Sequence, residues 1–137
     1  MSLLDVVAWV HVVDGRMLAV RARGRDLLYL PGGKCEPGEE HPAALSREVR
    51  EELGVELLPA SVRRLGVIEA PAHDHPDGVR VRMDCFTATH TGRLAPSGEI
   101  DDTFLVGLDQ RDLLAPASQA ALDLAHEHGL IGNAVAE

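Results

Sequence analysis

Hydrophobic and polar positions alternate along this chain with two different periods. Residues 5–13 (DVVAWVHVV) form an apolar, β-branched run that reads as a buried strand. Asp14-Gly15 is a hairpin turn signal, and residues 16–21 make the returning strand. Gly24 opens a loop, after which residues 27–30 read as a short strand leading into Pro31-Gly32-Gly33. A helix follows, with Pro42 in its first turn, where a missing N–H is harmless, and Gly54 at its C-terminal end. Beyond it, residues 61–70 and 79–91 read as two strands around the loop 71–78. In the second of these, Val79, Val81 and Met83 alternate with Arg80, Arg82 and Asp84, which predicts one covered face and one wet face. Residues 103–107 are a further strand. Ser118 is placed to cap a last helix running to about residue 128, with Ala121, Leu122 and Ala125 on its inner face. Strands first, a helix between strands and a helix last is a mixed α/β order.

The helix before Gly54 carries the chemistry. Glu48, Glu51 and Glu52 are related as i, i+3 and i+4, so all three project from one face. Three carboxylates packed there repel one another unless something positive lies between them. A hard divalent cation, which takes oxygen ligands, is the natural candidate.

The whole stretch from Gly33 to Val55 reads GKCEPGEEHPAALSREVREELGV, with spacing G-x5-E-x7-R-E-V-x-E-E-x-G-V. Gly33, Glu39, Arg47, Glu48, Glu51, Glu52 and Gly54 occupy its fixed positions. This pattern resembles the signature of the Nudix hydrolases at every defined position. The alternative, a solvated acidic helix face, does not account for the Gly and Arg positions.

The resemblance implies an α/β/α sandwich around a central mixed β-sheet. It also implies hydrolysis of a pyrophosphate bond with Mg2+ or Mn2+ in a nucleoside di- or triphosphate or a derivative, in the manner of nucleotide-pool housecleaning. Alternatives are a nucleotide-sugar, ADP-ribose or dinucleoside-polyphosphate substrate, or a non-catalytic nucleotide-binding module. By the same resemblance, Glu51 and Glu52 are metal ligands, and Glu48 is a further ligand or the base that takes the water proton. The Gly32 carbonyl is a backbone ligand, and Glu39 and Arg47 support the site together with Gly33. Glu99 lies in GEIDDTFLVGLD, similar to a family segment whose first Glu reaches the metals, and is a metal ligand, a base or an ordinary exposed loop carboxylate. Asp102 departs from the second Glu of that segment, and Leu105 or nearby Phe104 stands for its usual Trp.

Composition narrows the picture further. At 137 residues the chain is long enough for one domain with a real core, taken here as residues 1–137. The net charge of −9 argues against broad contact with a nucleic-acid polymer. It leaves room for a small phosphorylated, nucleotide-type substrate, because a metal and a few arginines reverse the potential within one cleft. Arg21 and Arg23 lie two apart and are candidates to grip a phosphate, or else mark a solvated strand end.

Lys34 is the one lysine, a bias attributed to genome composition. Cys35 and Cys85, without C-x-x-C spacing, suit a reduced, cytoplasmic protein. No apolar stretch reaches eighteen residues, so no membrane span is expected, and a homodimer stays open. His73-Asp74-His75 reads as plain loop, since a zinc site needs more ligands. The aromatics are Trp9, Tyr29, Phe86 and Phe104 alone. Leu28 and Tyr29 stand before Pro31, where many relatives carry Trp or Phe, which predicts weak discrimination among bases.

Overall fold

The computed structural model describes residues 2–73 and 75–132. Strand β1 (Ser2–Trp9) lies inside a four-stranded mixed sheet. It pairs antiparallel with β4 (Gly32–Lys34) on one side and parallel with β7 (Val79–Thr87) on the other, and β6 (Arg63–Pro71) closes the far edge. A second, antiparallel sheet has the order β2 (Val12–Val13), β3 (Arg16–Ala22), β9 (Ile100–Val106). Strands β5 (Glu56–Leu57) and β8 (His90–Thr91) form a small separate pair. Helix α1 (His41–Leu53) packs on β1 and β4, and helix α2 (Pro116–Glu127) packs on β6 and β7. None of the described helices is long and apolar enough to cross a membrane.

The two faces of β1 account for its continuous apolar run. Val7 and Trp9 share a core with Phe86 and with Ala44, Leu45, Val49 and Leu53 of α1. Ala8 and Val10 share the other core with Cys85 and with Ala121, Leu122 and Ala125 of α2. A strand covered on both sides needs apolar residues at every position. The expected α/β/α layering around a mixed sheet is therefore present.

Several boundaries differ from those read off the sequence. The run expected at 5–13 is two strands, because the chain leaves the mixed sheet after Trp9 and joins β3 at Val12. The backbone N–H of Val10 still bonds the Phe86 carbonyl, while the His11 carbonyl accepts from Leu18, so the break falls between two sheets. Residues 27–30 make only isolated bridges, Val20 to Tyr29 and Leu28 to Leu114, and not a strand. Residues 59–61 form a 3-10 turn before β6, and the strand expected at 79–91 stops at Thr87. Strand β9 begins three residues before the expected 103. Ser118 does not cap α2. Ala115 holds that position, and Ser118 is buried in the first turn, its hydroxyl oxygen accepting from the Leu30 N–H at 3.1 Å. Pro116 opens the helix without needing a capped donor.

The largest departure is Asp84, expected on a wet face and in fact 4% exposed. Its carboxylate accepts from Nε and Nη2 of Arg64, both at 2.8 Å, and lies 2.7 Å from Nδ1 of His41. Burial alone would raise this carboxyl, but the hydrogen bonds from Arg64 and His41 outweigh it and hold it below the usual carboxylate range. A buried charge so paired is stable; left alone it would not be.

A stability prediction follows from Asp84. Asp84→Ala should destabilise the protein by about 2 kcal/mol at pH 7, the scale of hydrogen bonds to a charged group. Because the folded carboxyl is depressed, its contribution is present at neutral pH and declines as pH falls below about 4, through the folded value. Thermal melts of both proteins at pH 7 and near pH 3 should show the gap narrowing in acid. Equal melting temperatures at pH 7 would contradict the assignment.

Candidate active site

Arg47, in the middle of α1, gathers the acidic side chains. Its Nε and Nη2 donate to the two carboxylate oxygens of Glu39, each at 2.9 Å. Nη1 donates to Glu48 at 3.2 Å, and Nη2 also reaches the Lys34 carbonyl at 3.1 Å. Glu51 lies 3.6 Å from Nη1. Glu39 in turn accepts the Glu36 N–H, which closes the loop between β4 and α1. The Arg47 bonds, with help from the Glu36 N–H, pull the Glu39 carboxyl down to about 2. Glu39 and Arg47 thus tie loop, strand and helix together.

Two glycines let the carboxylates approach the strand. A Cβ on Gly33 would stand 2.5 Å from the Glu48 carboxylate, so only glycine leaves that space. At Gly32 a Cβ would run into the Val7 carbonyl, and its φ of +152° suits glycine alone. Opposite, the Gly32 N–H donates to Glu52 at 3.0 Å. Burial, with smaller contributions from Glu48, Glu51 and Glu99, pushes the Glu52 carboxyl up to about 8 against the opposing Gly32 bond. Burial also raises Glu48, with Arg47 opposing it. Glu51 is the exposed member of the trio, at 59%.

Glu99 comes to this cluster through the helix end. The loop before β9 caps the last carbonyls of α1: Ala95 N–H bonds Leu53 O, Ser97 N–H bonds Glu52 O, and the Ser97 hydroxyl donates to Glu51 O at 2.6 Å. The Glu99 carbonyl also accepts from Arg23 N–H. Ser97 had no sequence signal, since its partners lie some 45 residues earlier.

Glu52 and Glu99 stand at one end of a cavity of about 390 Å³. Its walls include Leu4, Val6, Val81, Met83 and Ile100, with Gly32, Gly33 and Lys34 beside the acids. Arg21 and Arg23 are not among its lining residues. Arg21 turns instead to Asp101 at 3.1 Å and lies over the Phe104 ring. Arg25, Tyr29, His73 and His75 line the cavity in their place. His73 is held to Asp26 at 3.1 Å and its ring is 6.2 Å from that of Tyr29. The two histidines, read from sequence as plain loop, are therefore cavity wall; Asp74 between them lies outside the described residues.

The donor set around the cavity mouth is carboxylate and carbonyl oxygen, the chemistry of a hard divalent cation. Among the described residues no three His, Cys, Asp or Glu side chains yet converge on one point. Arg47 holds Glu48 and faces Glu51, whose exposed side chain is free to turn. Four acids with one guanidinium among them are a cluster that a divalent cation would neutralise.

Comparison with known proteins gives a consistent result. Residues 1–126 match the NUDIX domain. A CTP pyrophosphohydrolase of Escherichia coli (strain K12) is 45% identical over 60 residues, 41% of this chain and 44% of that protein. A curated relative from Bacillus subtilis (strain 168) is 35% identical over 63 residues, 46% of this chain and 29% of its own length. The matched stretch thus spans less than half of either relative. The solution structure of the E. coli ORF135 protein superimposes with a TM-score of 0.73 at 27% identity, over 93% of this chain and 91% of that one. A MutT NUDIX hydrolase from Burkholderia pseudomallei has the same fold, with a TM-score of 0.72 at 24% identity over 90% of this chain and 98% of that one.

Two substitutions separate support from chemistry. Gly33→Ala should fold with nearly the wild-type melting temperature, because the Glu48 side chain can swing aside, yet lose most activity. Arg47→Ala should lower both melting temperature and activity, since Glu39, Glu48 and the Lys34 carbonyl lose a shared donor. Melts and turnover of both variants decide this; an Arg47→Ala protein that melts like wild type would rule out the strut.

Proposed function

The chain belongs to the NUDIX domain family, and from that premise we propose that it is a metal-dependent hydrolase of a pyrophosphate bond in a nucleoside di- or triphosphate or a derivative. The observation that carries this reading is the placement of Glu52, with Glu48, Glu51 and Glu99 near it, at the polar end of an otherwise apolar cavity. The CTP pyrophosphohydrolase among the relatives supports a nucleotide substrate.

In this reading Glu48, Glu51, Glu52, Glu99 and the Gly32 carbonyl would hold Mg2+ or Mn2+. Such an ion neutralises pyrophosphate charge and makes a bound water more acidic. The protein's own groups do the rest. Arg47 fixes the Glu48 carboxylate, which burial makes a better proton acceptor than an exposed one. Lys34 faces the same space and supplies positive charge for the substrate's phosphates. The apolar walls exclude water from the group beyond the pyrophosphate. Those walls offer few directed polar contacts to a base, so selection among bases should be loose, with kcat/KM values within about a hundredfold. A cytoplasmic location suits such a substrate.

Turnover in oxygen-18 water should place the label on a phosphate product, with no base–sugar cleavage. Chelation should stop the reaction, and Glu52→Gln should reduce it by at least about a hundredfold, as loss of a group acting on transition-state charge does. A panel of nucleoside triphosphates including CTP, nucleotide sugars and ADP-ribose tests the substrate class. No phosphate or pyrophosphate release from any of them with Mg2+ or Mn2+ would refute the reading. A preference of several thousandfold for one base would refute only the loose pocket.

A further inference from the structure

Helix α1 lacks the usual means of fixing its start. Its N-cap, Glu40, makes no side-chain capping bond, and the first turn carries no acidic residue. The tie to the sheet comes instead from the next position. His41 Nδ1 lies 2.7 Å from the buried Asp84 carboxylate on β7, and since a carboxylate only accepts, Nδ1–H is the donor. Arg64, from β6, grips both oxygens of the same carboxylate and leaves it little freedom to turn. At the other end of the helix, Glu52 accepts from the Gly32 N–H of β4.

His41, Leu45, Glu48 and Glu52 follow the spacing i, i+4, i+7 and i+11, one stripe of the helix facing the sheet. The helix is thus pinned to the sheet by its two ends, His41 on β7 and Glu52 on β4, roughly 16 Å apart along its axis. Leu45, fully buried, lies between the pins, as does Glu48, set against Gly33. With one pin lost the helix can pivot about the other, and Glu48 has no slack to absorb the movement.

We propose that His41 and Asp84, outside the acidic cluster, are positioning residues that set where α1 presents Glu48 and Glu52 to the cavity. This rests on the reading of that cluster as the hydrolytic site. His41 acts through its Nδ1 donor and Asp84 as the fixed acceptor, with Arg64 holding it.

Three substitutions at His41 test this. His41→Asn places an amide donor near the position of Nδ1, His41→Phe keeps a ring without the donor, and His41→Ala removes both. The Ala and Phe variants should lose about tenfold to a hundredfold in kcat, the effect of a displacement of about 1 Å at the reacting groups, with KM little changed. The Asn variant should recover most of that loss. Amide hydrogen exchange across residues 48–52 in the metal-free proteins gives a second readout that needs no substrate, and it should be faster in Ala and Phe than in Asn or wild type. Equal exchange and equal kcat in Ala, Phe and Asn would overturn the proposal, as would wild-type kcat in Ala. If the wild type hydrolyses no pyrophosphate at all, the functional reading fails, and the exchange pattern still decides whether the pin exists.

Discussion

Like charges brought together on one helix face repel, and the guanidinium of Arg47 is what makes the arrangement tolerable here. It satisfies Glu39 with two hydrogen bonds, Glu48 with one and the Lys34 carbonyl with another. Those partners belong to the loop, the helix and strand β4, so the same contact that offsets repulsion also fixes three segments relative to one another. The bidentate geometry is one that a lysine could not reproduce. Everything at the cavity mouth depends on it, because Gly33 leaves room for the Glu48 carboxylate only where Arg47 holds it.

The remaining acids are held differently. Glu52 is buried and its one printed hydrogen bond is to a backbone N–H, which does not offset the unfavourable burial. Glu51 is exposed and engaged only at 3.6 Å. Glu99 arrives on a loop whose geometry is set by Ser97 and Ala95 capping the end of α1. The site therefore combines a rigid half, organised around Arg47, with a half whose charges are uncompensated within the protein. That asymmetry suits a cluster meant to receive positive charge, since full internal pairing would leave nothing for a cation to gain.

The fold was legible where its cause is local. The face shared by Glu48, Glu51 and Glu52, the turn at Asp14-Gly15, Pro42 in the first turn of α1 and Gly54 at its end are all fixed by neighbours within a few residues. The inner face of α2 followed from helical spacing alone. Asp84 was misread because alternation along β7 carries no information about Arg64 and His41, which meet it only when β6 and α1 pack on that strand. Ser118 was misread as a cap for the same reason: the group it serves, Leu30 N–H, is 88 residues away in sequence.

What the sequence by itself determined is the helix with its carboxylate face, the Glu39–Arg47 pairing implied by spacing, and the mixed α/β order of elements. These depend on backbone periodicity and on side chains separated by a turn or two. Tertiary structure alone decided the walls of the cavity. The register of β3 against β9 sets Arg21 opposite Asp102, near Asp101 and away from the cavity, while the β6–β7 loop brings His73 and His75 into it. A single period of alternation says which residues share a face of a strand. It cannot say what the neighbouring strand or loop will set against that face, because long-range pairing is fixed by the packing of the whole chain.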